Sequence, residues 1–250
     1  MAFVRCDMMS QALQMNTSFL AVLPEDRPLE TAPVVYLLHG LTDNCTGWHR
    51  FSRVEAYARA KGAALVMPEV QRSFYTDMQA GGAYYTYVSE ELPRFCEGLF
   101  RLSSRPRQRY VMGLSMGGSG ALKCALRAPE RYAGCAAFSA VTDVNDYLEQ
   151  RRADPGPLGR EAAALFGPGR PAPRQDDLFA LAEDLPAGAA LPSLYLTCGE
   201  QDGLFAMNQR FADHLEQRGI PFAAEYWPGA HSWDFWDESV RRALDRFLPG

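Results

Sequence analysis

Short apolar runs alternate with helical patterns along this chain from residue 33 onward. The runs Val34–Leu38, Ala64–Met67, Tyr110–Leu114, Cys135–Ser139, Ser193–Cys198 and Phe222–Trp227 have strand length. Most are bounded by Gly or Pro, which punctuate strands and turns. Between them, helical spacing predicts helices at about 51–61, 84–101, 116–127, 205–218 and 235–247. In the fourth, Phe205, Phe211 and Leu215 mark an apolar face, and Gly219 then Pro221 are stop signals. Strand and helix in alternation imply an α/β fold, a mostly parallel twisted sheet with helices on both faces. Residues 3–9 and 18–23 precede this rhythm and read as an N-terminal strand pair.

One segment departs from the pattern. Between Asp154 and Arg174 stand Pro155, Pro157, Pro168, Pro171 and Pro173, and proline blocks regular structure. Short helical patterns flank it at about 143–151, 160–166 and 176–184. The expectation is one domain over residues 1–250, with a cap excursion at about 143–185. A surface loop of no consequence is the plain alternative.

Composition narrows the class. The 250 residues are 47% hydrophobic, enough for a large core, and 25 basic against 30 acidic residues leave a net charge of −5. A dedicated nucleic-acid binder normally carries a basic face. The cluster Arg101, Arg105, Arg107 and Arg109 reads as a solvated loop before a strand. No run approaches the roughly 18 apolar residues of a membrane span. Arg5, Asp7 and Ser10 interrupt the N-terminus before a signal-peptide core forms. A cytoplasmic protein, without membrane or nucleic-acid partners, is expected. The six cysteines form no CxxC pair and no zinc spacing with histidine. They read as reduced structural thiols. Cys45 and Cys198 are conceivable nucleophiles, but a serine competes better.

That serine lies in Gly113-Leu114-Ser115-Met116-Gly117, a GxSxG match. The pentapeptide alone is weak evidence. Its setting adds weight: an apolar strand precedes it and a helical pattern follows, as a nucleophile elbow requires. Glycines two before and two after the serine relieve crowding in so sharp a turn. A serine hydroxyl needs a base beside it, and the chain has four histidines. His39 and His49 precede the serine, and His214 sits within a helical pattern. The order serine, acid, histidine in this fold leaves His231, in the loop after the last strand. The acid should follow strand Ser193–Cys198, where Glu200 and Asp202 compete. Gly203 favours Asp202 by allowing a turn. Two N–H donors should meet the oxyanion: Met116, after the nucleophile, and Leu41, in the loop after Val34–Leu38. His39 would brace that loop, and nothing nearby completes a metal site. The aromatic residues Trp48, Phe74, Tyr75, Tyr84, Tyr85 and Trp233 fall in loops expected around the pocket, with core packing as the alternative.

Joined together, these motifs resemble the esterase D-like branch of the α/β-hydrolases, most closely the tributyrin esterase group. The matching pieces are Leu38-His39-Gly40-Leu41-Thr42-Asp43-Asn44 with Trp48, and Arg72-Ser73-Phe74-Tyr75-Thr76-Asp77. Tyr87-Val88-Ser89-Glu90-Glu91-Leu92-Pro93, the GLSMGG run at 113–118, Gly199-Glu200-Gln201-Asp202 and His231-Ser232-Trp233 with Trp236 complete the set. The resemblance implies a carboxylesterase of short-chain acyl esters with Ser115, Asp202 and His231 as triad. It agrees on Leu41 and Met116 for the oxyanion amides. It implies no cofactor and no metal, and a possible homo-oligomer. An S-formylglutathione thioesterase, a feruloyl or acetyl sugar esterase and an acyltransferase would share the triad. A non-catalytic binding module is the remote alternative.

Overall fold

The computed structural model describes residues 1–152, 156–186 and 188–248. Eight strands form one sheet: β1 Ala2–Ser10, β2 Met15–Leu23, β3 Val34–Leu38, β4 Ala64–Pro68, β5 Arg109–Leu114, β6 Gly134–Phe138, β7 Ser193–Gly199 and β8 Ala223–Trp227. Their spatial order is β1-β2-β4-β3-β5-β6-β7-β8. Strands β3 to β8 run parallel, whereas β1 and β2 form an antiparallel hairpin and β2 joins β4 antiparallel.

The helices are α1 Gly47–Phe51, α2 Val54–Lys61, α3 Tyr84–Thr86, α4 Leu92–Phe100, α5 Met116–Arg127, α6 Val144–Arg152, α7 Pro157–Phe166, α8 Leu178–Asp184, α9 Phe205–Gln217 and α10 Trp233–Phe247. Period-two alternation on fully buried strands splits the core into two layers. On β3, Val34, Tyr36 and Leu38 join one cluster with Leu122 and Ala125 of α5 and Phe211 and Leu215 of α9. Val35 and Leu37 face the other way, onto Val54 and Ala58 of α2 and Val240 and Leu244 of α10. Burying both faces explains why these strands read as continuous apolar runs.

Two expected helices are divided. The pattern at 51–61 breaks at Ser52, which is extended (φ −134°, ψ 172°). The Arg53 N–H donates instead to Asp237 Oδ1 of α10 (2.7 Å). The stretch at 84–101 contains a π-helical turn over Tyr87–Glu91. There Glu91 accepts the Gln11 (2.6 Å) and Ala12 (3.2 Å) N–H groups of the β1–β2 turn. Between β6 and β7 lie α6, α7 and α8. Asp154 and Pro155, part of the proline-rich stretch, lie outside the described residues. Among the described residues, no helix is long and apolar enough to cross a membrane.

Strand order places the site. From β3 the chain goes first to β4 on one side, then to β5 on the other. Connections that leave two neighbouring strands in opposite directions open a crevice at their C-terminal ends. The loops after β3 and β5 therefore meet there.

Candidate active site

Ser115 occupies the turn from β5 into α5 with φ 53° and ψ −118°, a conformation that a residue with a Cβ rarely adopts. Close packing enforces it. A Cβ on Gly113 would lie 2.3 Å from the Gly117 carbonyl oxygen, and one on Gly117 would lie 2.3 Å from that of Leu38. Only glycine at both positions lets strand, turn and helix approach this far. The serine side chain is thereby raised at the end of the strand, under the N-terminus of α5.

Two further loops bring its partners. Gln201 N–H donates to Gly229 O (2.9 Å), and its side chain accepts from Gly229 N–H (2.7 Å). Glu200 N–H donates to Trp227 O (3.1 Å). These bonds join the loop after β7 to the loop after β8. Asp202 Oδ2 then accepts from His231 Nδ1 (2.8 Å), and His231 Nε2 lies 3.0 Å from Ser115 Oγ. A carboxylate only accepts, so Nδ1 carries the proton and Nε2 is free to take one from serine. Glu200, the competing acid, is exposed, and the acid bonded to His231 is Asp202.

Asp202 is buried, and burial alone would raise its carboxyl. The bonds from His231 and from Leu204 N–H (2.8 Å) outweigh it and hold the group below its ordinary value. The acid thus stays ionised to orient the imidazole and to stabilise imidazolium. The thiols behave oppositely. All six cysteines are free. Burial pushes Cys198 up to about 12 and Cys45 up to about 11, so neither supplies a thiolate.

The loop after β3 lies against the elbow: a Cβ on Gly40 would be 3.6 Å from Ser115 Cβ. Met116 opens α5, so its N–H has no carbonyl one helical turn back. His39 is buried, as a loop brace would be. Its Nδ1–H donates to Gly40 O (2.8 Å) and its Nε2 accepts from Val70 N–H (3.2 Å). Burial lowers its pKa despite the Gly40 bond and the charge of Glu69, so the ring is neutral.

A cavity of about 400 Å³ opens beside Ser115 and His231. Tyr147, Gln150 and Arg151 of α6 form one wall, and Leu204, Met207 and Arg210 another. The aromatic expectation needs correction here, since none of the six named rings lines this cavity. Trp48, Phe74, Tyr75, Tyr84 and Tyr85 are buried in the core. Trp48 Nε1–H donates to Leu38 O (3.0 Å), and Tyr75 O–H donates to His39 O (3.0 Å). Phe74 stands one layer behind the wall, 5.6 Å from the Tyr147 ring. Arg127 lies over Tyr85 at 3.6 Å. Trp233 packs edge-on against Trp48 and Trp236. For Trp48 and Tyr75 a backbone carbonyl takes up the polar handle of the ring, which lets the ring be buried. The pattern at 143–151 marked α6 as part of a cap excursion, but nothing in the sequence singled out Tyr147, Gln150 and Arg151 as wall residues, because their helix reaches the site only through the fold.

A strained serine elbow with histidine and aspartate on the C-terminal edge of a parallel sheet is the architecture of a serine hydrolase on the α/β-hydrolase fold. A family model described as "Putative esterase" matches residues 10–247. The chain belongs to this esterase family. It is 27% identical to an acetyl esterase of Caldicellulosiruptor saccharolyticus, over 98% of this chain and 97% of that one. A fluorophosphonate-binding serine hydrolase of Staphylococcus aureus superposes with a TM-score of 0.92 at 27% identity, covering 100% of this chain and 99% of the other. An S-formylglutathione hydrolase from Staphylococcus aureus gives a TM-score of 0.85 at 26% identity, over 99% and 98%.

Proposed function

We propose that the protein is a serine carboxylesterase that hydrolyses short-chain acyl esters, acetyl to butyryl, through an acyl-enzyme on Ser115. The observation that carries this reading is the pair of contacts at His231, 3.0 Å to Ser115 Oγ and 2.8 Å to Asp202. In acylation, Ser115 Oγ attacks the ester carbonyl while His231 Nε2 takes its proton. The carbonyl oxygen becomes an oxyanion held by the Leu41 and Met116 amides. As the intermediate collapses, the carbon–oxygen bond to the alcohol breaks and His231 protonates the departing oxygen. Water then attacks the acyl-enzyme by the same relay and regenerates Ser115.

Because His231 must reach the leaving oxygen, the leaving group lies on the histidine side. The cavity of about 400 Å³ is on that side. We therefore read it as the alcohol site, and the α6 to α8 excursion as a cap that supplies its wall within one hydrolase domain. The free thiols, five of the six buried, suit a reducing, cytoplasmic setting.

The test is p-nitrophenyl acetate turnover and fluorophosphonate labelling of wild type and Ser115→Ala. Turnover and labelling should both vanish in the variant; unchanged turnover would overturn the assignment. A second reading, an S-formylglutathione-type thioesterase, draws on the polar wall of Gln150, Arg151 and Arg210, which would suit a peptide-like leaving group. Thioester against oxygen-ester kcat/KM separates the two.

A further inference from the structure

Four successive carbonyls, from the end of β3 into the turn after it, are each held by a side chain. Trp48 Nε1–H binds Leu38 O (3.0 Å), Tyr75 O–H binds His39 O (3.0 Å) and His39 Nδ1–H binds Gly40 O (2.8 Å). The fourth donor is Arg72 Nη1, at 3.3 Å from Leu41 O. The first three donors come from buried side chains. Arg72 is different. Its side chain is 36% exposed, and its Nε binds Glu161 Oε1 of α7 at 2.6 Å. One guanidinium thus joins the turn to the excursion that walls the cavity. Two backbone bonds tie the loop that carries Arg72 to the same helix, Gln79 N–H to Leu165 O (2.9 Å) and Ala80 N–H to Ala164 O (3.0 Å).

We infer that Arg72 is a positioning residue that keeps the Leu41 N–H in place, with Glu161 as its anchor on the cap. The inference rests on the oxyanion role proposed above for that amide. Two rigid peptide planes flank Leu41. His39 and the Asp43 N–H (3.2 Å) fix the plane before it through Gly40 O, and Arg72 braces the plane after it through Leu41 O. The Leu41 N–H belongs to the plane before it, so the bonds at Gly40 O fix its direction, and Arg72 holds Leu41 from the far side so that this plane cannot tilt or shift as a whole. Guanidinium chemistry suits this task, because its planar fork binds a carbonyl and a carboxylate at once in fixed geometry. A lysine ammonium cannot reproduce that fork. The link also ties the cap to the oxyanion site, so a displaced cap would misdirect the donor.

Fluorophosphonate titration of wild type comes first: a protein that does not label refutes the serine-hydrolase reading itself. Given labelling, Arg72→Met is assayed per titrated active site on p-nitrophenyl acetate. Losing a whole oxyanion donor costs about 100- to 1,000-fold in kcat, and a misdirected one should cost about 10- to 100-fold. KM should stay within about threefold, because the ground-state ester barely uses the donor. Inhibition by a trifluoromethyl ketone, whose serine adduct carries an oxyanion, should weaken by the same factor as kcat/KM. A purely structural arginine would lower the number of titratable sites and leave kcat per site intact. Arg72→Lys should restore melting temperature more than kcat. Unchanged kcat per site in Arg72→Met, or a loss confined to KM, overturns the inference. If Arg72→Met does not fold, Glu161→Ala carries the test. A kcat loss of about threefold or more then supports the inference, and an unchanged kcat refutes it.

Discussion

Replacing Asp176 by asparagine should destabilise this protein far more than its small change in shape suggests. Lys123 lies on α5, in the turn of the helix that faces the Phe74–Thr76 loop. Its ammonium donates to Asp176 Oδ1 (2.6 Å), Thr76 Oγ1 (2.6 Å), Phe74 O (3.1 Å) and Tyr75 O (3.2 Å). The two charged side chains are only 4% and 3% exposed. Burial pushes the lysine down, and Asp176 draws it part of the way back. Removing one member of such a buried pair costs about 3–5 kcal/mol. The lysine has one escape, which is to lose its proton. For a lysine of ordinary acidity at neutral pH that costs about 4–5 kcal/mol, which caps the penalty near the same figure. At this chain length each kcal/mol lowers the melting temperature by about 2–4 °C, so Asp176→Asn should melt roughly 10 °C below wild type. The sign of the pH dependence is fixed by the same argument. A lysine neutral when folded and charged when unfolded binds fewer protons in the folded state, so stability rises with pH until the unfolded lysine also deprotonates. Thermal melts from neutral to alkaline pH should therefore show the variant regaining about 1.4 kcal/mol per pH unit. The apolar pair Lys123→Met with Asp176→Leu should recover much of the loss. A melting temperature for Asp176→Asn within about 2 °C of wild type at neutral pH would refute this account of the pair.

Asp202→Asn should lower kcat about 10³- to 10⁴-fold with little change in melting temperature. Leu204 N–H already claims one oxygen of the side chain, so the new amide N–H₂ would face Nδ1 and drive the imidazole proton onto Nε2. Recovery of full rate in that variant would show that Asp202 does not set the tautomer. Tyr147→Leu should raise KM for esters with bulky alcohols by about tenfold, whereas Tyr85→Leu should leave KM unchanged. Equal effects on KM would mean that the cavity is not the alcohol site. Gly117→Ala forces a Cβ to 2.3 Å from Leu38 O and should cost about 3 kcal/mol or more together with fluorophosphonate labelling. A variant that melts and labels like wild type would contradict the packing argument.

The sheet was legible in the sequence because strands β3 to β7 are buried on both faces and so stand out as apolar runs. Ser115 was legible because glycine at 113 and 117 is a steric demand of the elbow, written directly in residue types. Asp202 and His231 followed from chain order and from loops after known strands. Other features depended on partners far away in sequence. The break at Ser52 is made by Asp237, and the π-helical turn by bonds between Glu91 and the first hairpin. Lys123 in an apolar helix makes sense only once Asp176 returns to it. The aromatic residues misled for a related reason. A ring in a loop signals that something will be buried, but Trp48 and Tyr75 are buried to hold backbone carbonyls rather than to touch a substrate. The cavity wall on α6 comes from the excursion, whose seat on the sheet no local pattern encodes.

The joined loops after β7 and β8 bear on when the enzyme becomes active, because the chain is made from its N-terminus. Ser115 can take its strained turn as soon as β3, β5, α5 and β6 assemble, since the contacts that enforce it lie within those elements. Its base arrives 116 residues later, with the last strand and the loop that Gln201 pins in place. A nascent chain that ends before β8 should therefore carry a shaped but inert serine and resist fluorophosphonate labelling. Labelling of such truncated chains would show that the nucleophile needs no histidine to react. Activity would then switch on late and all at once, which spares the unfinished protein from acylating itself or its neighbours during synthesis.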